Sequence, residues 1–126
     1  MNPSNLKYSS THEWVNAQVG IATLGITDYA QSELGEIVFV ELPKVGSEFD
    51  KGDVLGTVES YKTVSDLVCP VSGEVVDVNS ALADSPQFVN ESPYEQGWTV
   101  KIRMADPGEL DDLMTAEQYE GVLKEH

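Results

Sequence analysis

The lysine at position 62 is the residue best suited to carry chemistry in this chain. Lys62 stands between two β-rich runs, Val54 to Glu59 and Thr63 to Val68, which predicts a place at the exposed tip of a hairpin. Between residues 45 and 100 the only other basic residue is Lys51, so a modifying enzyme could single out Lys62 on an acidic background. Its amine could hold a carboxylated cofactor through an amide bond. An ordinary solvated lysine is the alternative, and spacing alone favours it because exposed lysines are common.

The other reactive residue types give no sign of an independent active site. The histidines are His12 and the terminal His126, which leaves one credible imidazole for acid or base work. The chain has no recognisable Ser/His/Asp set, no metal-spaced histidines and no phosphate-binding glycine loop, so we expect neither catalytic nor metal-ligating residues. His12 is expected to make structural hydrogen bonds. Cys69, the single cysteine, is expected to be a buried apolar thiol.

The composition narrows the class of protein further. The chain fits one domain, residues 1–126, and its 22 acidic and 7 basic side chains give a formal net charge of −15. Such a surface repels nucleic acids and anionic membranes, whereas basic patches on other proteins would attract it. No apolar run reaches the roughly 20 residues that span a bilayer, and the first ten residues lack a signal-peptide core. These features predict a bacterial cytoplasmic protein, or a mitochondrial one only if a leader has been removed.

Short β-rich runs alternate with turn residues from Glu13 to about residue 104, which predicts a mainly β core. One early helix is expected between an N-cap at Thr27 and a closing glycine at Gly35. Asp106 to Glu109 and Thr115 to Gln118 both have capping-box spacing, so two short helices should follow and pack on the core. The strand candidates are Trp14-Val15, Val19 to Leu24, Glu36 to Leu42, Val54 to Glu59, Thr63 to Val68, Gly73 to Val78 and Trp98 to Arg103.

A set of short motifs follows one order over nearly the whole chain. Around the lysine these motifs are Glu59-Ser60-Tyr61-Lys62 and Ser65-Asp66. Elsewhere they are Thr11 to Val15, Gly25 to Gln31, Leu34 to Pro43, Pro70 to Val76, Val89 to Tyr94 and Gly97-Trp98. Together they resemble the pattern of the glycine cleavage system H protein family, the lipoyl carriers of that complex. A lone lysine between strands is a weak signal, but this ordered set is highly specific.

The resemblance implies a fold, a cofactor and a set of partners. The family fold is a lipoyl-domain-like β sandwich or barrel (a hybrid motif) with short helices, and Lys62 would carry (R)-lipoate through an amide. The chain would be a monomeric, non-catalytic carrier of the aminomethyl group of glycine, and its tether would raise the local thiol concentration at each partner's site. The implied partners are a pyridoxal-phosphate glycine decarboxylase, a tetrahydrofolate-dependent aminomethyltransferase, a flavin-dependent dihydrolipoyl dehydrogenase and lipoate-attaching enzymes.

The resemblance also implies two groups of site residues. Glu59, Ser60 and Asp66 match the loop that lipoate-attaching enzymes recognise. Thr11 and Glu13, again with Asp66, match a cleft that shelters the aminomethyl-loaded arm. The carboxylates of this cleft could pair with the cationic amine and slow its hydrolysis. Simple solvated acidity is an equally weighted alternative, because exposed acidic residues are abundant.

The residues beside the lysine depart from the family pattern, because Tyr61 precedes Lys62 and Thr63-Val64 follows it. Tyr61 is expected to be aromatic cover on the hairpin. A biotin carrier shares this kind of hairpin, but such carriers have methionines beside the lysine. A stand-alone hydrolase or redox enzyme would need a catalytic set that this chain lacks. Intact mass separates the two carriers, and turnover by the unmodified protein would reveal an enzyme.

Overall fold

Two antiparallel β-sheets form the body of the protein in the computed structural model, which describes residues 3–124. The strands within these residues are β1 (Lys7–Tyr8), β2 (Glu13–Gln18), β3 (Ile21–Ile26), β4 (Ile37–Glu41), β5 (Glu48–Phe49), β6 (Val54–Ser60), β7 (Val64–Val68), β8 (Gly73–Val78) and β9 (Val100–Met104). The larger sheet has the order β1-β2-β3-β9-β8-β5, and the smaller has the order β4-β6-β7. This mainly β arrangement confirms the predicted fold class.

Short helices lie between and after the strands. They are α1 (Asp28–Leu34), α2 (Ala81–Asp84), α3 (Phe88–Glu91), a 3₁₀-helix (Pro107–Asp112) and α4 (Ala116–Lys124). Helices α2 and α3 are only four residues long, too short to leave a periodic pattern in the sequence. Within residues 3–124, none of the helices is long and apolar enough to cross a membrane.

The inner faces of the two sheets enclose the main hydrophobic core. Its buried side chains include Val15, Leu24, Ile37, Val58, Leu67, Val75 and Ile102, contributed by seven different strands. A second cluster joins the N-terminal strands to α4, where the rings of Tyr8 and Tyr119 stack 4.9 Å apart beside Trp14. Burial of these large rings attaches the C-terminal helix to the β body.

The caps of two helices confirm the sequence-based prediction. The Thr27 hydroxyl accepts the Ala30 N–H at the start of α1, and Gly35 closes that helix with φ 82°. At the start of α4, Thr115 and Gln118 bond reciprocally, each side chain accepting the other residue's backbone N–H. Both caps satisfy backbone groups that a helix end leaves unpaired.

The expected capping box at Asp106 is wrong in its second half. The Asp106 carboxylate accepts the Gly108 N–H at the start of the 3₁₀-helix. The Glu109 carboxylate instead accepts the N–H and the hydroxyl of Ser72, at 2.7 and 2.8 Å. A charge-assisted pair of bonds to a distant loop has displaced the local cap.

The expected strand from Val19 to Leu24 begins two residues too early. Val19 has φ 51° and Gly20 has φ 80°, and together they form the turn between β2 and β3. A two-residue hairpin turn with positive φ at both positions normally uses Asn or Gly, so a β-branched residue there carries no turn signal. The fully exposed side chain of Val19 confirms that it takes no part in the core.

Gly56 in β6 is expected to tolerate no side chain. A Cβ atom at this position would overlap the carbonyl oxygen of Glu41 on β4. We expect Gly56→Ala to lower the free energy of unfolding by about 1 to 3 kcal/mol, because the two backbones must separate. Urea unfolding would measure this loss. Gly121→Ala in α4 is the matched control, since a Cβ there meets nothing within 4 Å. An unchanged midpoint for Gly56→Ala would contradict the close approach of the two strands.

Candidate functional site

Lys62 lies exposed in the connection between β6 and β7. The buried Ser60 side chain organises this connection: its hydroxyl accepts the N–H groups of Lys62 (3.3 Å) and Thr63 (3.2 Å) and donates to the Thr63 carbonyl (3.2 Å). The backbone N–H of Ser60 also donates to the Thr63 carbonyl at 2.8 Å. The hairpin is therefore closed by its own residues, and it presents one lysine to solvent.

The Lys62 side chain lies against the end of α1. A Cβ atom on Gly35 would lie 3.5 Å from Cε of Lys62, so the lysine stem occupies the space that this glycine leaves open. The N–H of Tyr61 donates to the carbonyl of Glu36 at 3.3 Å. The tip of the hairpin is thus attached to the segment that joins α1 to β4.

Three exposed apolar side chains lie in or beside the lysine hairpin, and of these the sequence reasoning anticipated only Tyr61. Phe39 is 50% exposed, Val64 57% and Tyr61 79%. Phe39 and Val64 flank Glu59 across the three strands of the smaller sheet. A register shift between Ile37 and Phe39 breaks the usual alternation, so that Phe39 is exposed while Ile37 and Val40 are buried. The bulge cannot be read from the apolar run Ile37 to Val40 alone.

Glu13 is a buried carboxylate, with only 5% of its surface exposed. Its Oε1 atom accepts hydrogen bonds from the hydroxyls of Ser9 (2.7 Å) and Thr11, and its Oε2 atom accepts the Val68 N–H at 3.3 Å. Burial raises the pKa of this carboxyl, although the hydrogen bonds oppose the shift. No lysine or arginine within residues 3–124 forms an ion pair with it. Its partners within the described residues are therefore hydroxyl and amide donors rather than a basic side chain.

Of the residues predicted to form a cleft, Thr11 and Glu13 are in direct contact. Asp66 is exposed on β7, two positions before Val68 and on the same side of that strand, because side chains alternate along it. The separation along the strand is about 7 Å. Within the described residues no hydrogen bond joins Asp66 to Thr11 or Glu13.

A depression of about 380 Å³ opens beside this carboxylate. Its lining includes Tyr8, Thr11, Val68, Cys69, Pro70 and Met114. Cys69 is buried, as predicted, and its thiol donates to the Val71 carbonyl at 2.8 Å. Burial raises the pKa of this thiol to about 12. The lining of the depression thus combines apolar side chains and an unreactive thiol with the ion pair of Lys51 and Asp112.

His12 has a structural hydrogen bond, as predicted. Its Nδ1 atom lies 2.7 Å from the hydroxyl of Tyr119, which also lies 2.7 Å from the Thr27 hydroxyl. His12 has φ 69°, a left-handed conformation that this network holds in place. The link connects α4 to the start of α1. The other histidine, His126, lies outside the described residues.

Comparison with known proteins gives one consistent match. The model of the family described as glycine cleavage H-protein matches residues 6–126. The glycine cleavage system H protein of Staphylococcus haemolyticus is 58% identical over 123 residues, covering 98% of each chain, and that of Staphylococcus saprophyticus is 57% identical over the same length and coverage. The crystal structure of such an H protein from Mycobacterium marinum superposes with a TM-score of 0.91 at 39% identity, covering 98% of this chain and 99% of that one.

Proposed function

Because the chain belongs to the glycine cleavage H-protein family, the lipoyl carriers of the glycine cleavage system, we propose that Lys62 is the residue that holds (R)-lipoate here, through an amide on Nζ. The observation that carries the proposal is the exposed lysine on a hairpin closed by Ser60. Lys62 is exposed, so its amine is accessible to an acyl donor. When attached, lipoate supplies a disulfide that can open to accept an aminomethyl group.

Intact mass, followed by peptide mapping, tests this proposal. The purified chain would be incubated with a lipoate-attaching enzyme, lipoate and ATP, and in parallel with a biotin ligase, biotin and ATP. We expect a lipoyl adduct on the peptide that contains Lys62 and no biotin adduct. A biotin adduct, or a lipoyl adduct on another lysine only, would contradict the assignment.

Glu59, Ser60 and Asp66 form the proposed recognition surface for lipoate-attaching enzymes. Glu59 and Asp66 are exposed on the outer side of the hairpin strands, where an enzyme could contact them directly. Ser60 is buried and bonds the backbone of the turn, so its contribution is to keep the turn in shape. The exposed positions of Glu59 and Asp66 support a role in contacting the enzyme, and the buried position of Ser60 supports a role in shaping the turn.

Thr11, Glu13 and Asp66 form the proposed cleft for the cargo. Glu13 supports this assignment because its buried charge lacks a cationic partner among the described lysines and arginines, and the ammonium of the aminomethyl group would supply one. Thr11 would fix the orientation of the carboxylate through its hydroxyl. Val64, Asp66 and Val68 follow one side of β7, which leads from the hairpin to Glu13 over about 13 Å.

We further propose that residues 1–126 act as a single, monomeric and non-catalytic carrier domain in the bacterial cytoplasm. Its specific partners would be the pyridoxal-phosphate glycine decarboxylase, the tetrahydrofolate-dependent aminomethyltransferase and dihydrolipoyl dehydrogenase. The net charge of −15 supports docking on basic surfaces. Phe39, Tyr61 and Val64 add exposed apolar area next to the lysine, which is typical of an interaction site.

Raised ionic strength is expected to increase the KM for this carrier with each partner enzyme. Charge attraction between the acidic carrier and a basic partner surface is screened over about 8 Å at physiological salt. Steady-state kinetics with dihydrolipoyl dehydrogenase would measure the effect across a salt series. Free dihydrolipoamide, which has no charge, is the control substrate and should show a flat KM. A flat KM for the carrier as well would show that attraction between charges does not guide docking.

A further inference from the structure

Residues 35–37, which join the end of α1 to the first residue of β4, lie next to the Lys62 hairpin. The lysine stem lies 3.5 Å from the position that a Cβ atom on Gly35 would take, and the Glu36 carbonyl accepts the N–H of Tyr61, the residue before the lysine. Gly35 combines φ 82° with ψ −160°, a backbone conformation open essentially to glycine alone. The position of these three residues therefore determines where the lysine stands.

The side chain of Asn90, in α3, holds both ends of this segment. Its Oδ1 atom accepts the Ile37 N–H at 2.8 Å, and its Nδ2 atom donates to the Gly35 carbonyl at 2.8 Å and to Oε1 of Gln31 at 3.0 Å. The backbone N–H needs an acceptor and the carbonyl needs a donor, so only an amide satisfies both from one side chain of this length. The neighbouring Val89 is fully buried and fixes α3 to the core.

We propose that Asn90 is a positioning residue for the modification of Lys62. Its hydrogen bonds hold residues 35–37 in place. They thereby fix the position and orientation of the hairpin whose lysine amine reacts in a lipoate-attaching enzyme. In that reaction the Nζ atom forms an amide bond with the lipoyl carbonyl of lipoyl adenylate, the bond from that carbonyl to AMP breaks, and the amine loses a proton. This inference rests on the proposed function, because it needs Lys62 to be the acceptor.

The test compares two asparagines whose side-chain amides bond backbone groups at different places. Asn90→Ala removes the bonds to residues 35–37. Asn79→Ala is the matched control, because the Asn79 Nδ2 atom bonds the carbonyls of Gln96 (2.7 Å) and Trp98 (2.8 Å) instead. The kcat/KM of a lipoate-attaching enzyme for each unmodified full chain would be measured at a temperature where circular dichroism shows all chains folded.

We expect kcat/KM to fall about tenfold or more for Asn90→Ala and to stay at the wild-type value for Asn79→Ala, since misplacing a reacting group by about 1 Å can cost up to a hundredfold. Amide hydrogen exchange gives a second readout, in which the Tyr61 N–H should exchange faster only in the Asn90 variant. If Asn90→Ala does not fold, Asn90→Asp takes its place. It keeps the acceptor for Ile37 but sets an oxygen against the Gly35 carbonyl, so a similar fall is expected.

A wild-type kcat/KM with unchanged Tyr61 exchange in the folded Asn90 variant would overturn the inference. An equal fall in Asn79→Ala would also overturn it, because the effect would then follow from general stability. Failure of the proposed function would look different. In that case the wild-type chain itself would carry no lipoyl group on Lys62.

Discussion

Lys62→Arg is expected to abolish lipoyl attachment and, with it, glycine cleavage by the reconstituted system. Arginine keeps the positive charge and a long stem, but its guanidinium is not an acylable amine. Because Lys62 is exposed and its side chain forms no ion pair within residues 3–124, the variant should unfold at the wild-type urea concentration. Intact mass would score attachment, and release of carbon dioxide from glycine would score activity.

Lys51→Arg is the matched control for this substitution. Lys51 is the nearest basic residue in the sequence, is exposed, and forms a surface ion pair with Asp112 at 3.0 Å that arginine can reproduce. We expect this variant to be lipoylated and active. A lipoyl adduct on Lys51 in the Lys62→Arg chain would show that attachment does not depend on the hairpin tip.

Glu13→Gln is expected to accelerate the spontaneous loss of the aminomethyl group about ten- to a hundredfold. A charge-assisted hydrogen bond between a buried carboxylate and an ammonium is worth roughly 1.5 to 3 kcal/mol, and glutamine forfeits the charge. Asp66→Asn should have a smaller effect in the same direction, because Asp66 is exposed. Each variant would be lipoylated, loaded from glycine, separated from the decarboxylase, and followed for release of ammonia and formaldehyde.

One control variant shows whether faster release comes from the cleft. Glu117→Gln removes a carboxylate that is exposed at the start of α4, and its release rate should equal that of the wild type. Wild-type release rates in both Glu13→Gln and Asp66→Asn would mean that neither carboxylate holds the cargo.

The burial of Glu13 determines whether Glu13→Gln raises or lowers the stability of the unloaded protein. Burial holds the pKa of Glu13 above its usual value, so between the two values the folded state binds more protons than the unfolded chain. The stability that this carboxyl contributes to the folded state at low pH is therefore lost as pH rises through its pKa in the folded state. At pH 7 glutamine removes that cost, so we expect the unloaded variant to unfold at an equal or higher urea concentration. A lower urea midpoint for Glu13→Gln would indicate that the substitution disturbs packing. In that case the release rate of Asp66→Asn would serve as the test of the cleft.

Patterns within short stretches of the sequence correctly predicted several helix caps and the position of the hairpin. Thr27 and Gly35 act as caps because each satisfies helix-end groups within its own neighbourhood in the chain. The reciprocal bonds of Thr115 and Gln118 follow the same rule. The tip position of Lys62 followed from two β-rich runs with a short break. In each case residues a few positions apart decide the outcome, so the sequence pattern is sufficient.

Contacts between distant residues explain what the sequence reasoning missed. Glu13 receives a hydrogen bond from Val68, 55 positions away, so its burial depends on how β2 meets β7. Asn90 reaches Ile37 across 53 positions, and Glu109 reaches Ser72 across 37. Such pairs form only after the sheets have assembled, and no local pattern records them. The family resemblance assigned Glu13 and Asp66 to the same cleft. Only the fold could show that Glu13 is buried and Asp66 exposed.

The burial of Cys69 has a consequence for a protein whose cargo is attached to a dithiol. A free cysteine beside the cleft could attack the ring disulfide and tie the arm to its own carrier as a mixed disulfide. Thiolate is the attacking species, and burial, which raises the pKa of Cys69 to about 12, keeps this thiol protonated at pH 7. If Lys62 carries lipoate as proposed, the sulfurs of the arm would meet no reactive thiol at Cys69, so the carrier would not capture its own arm there.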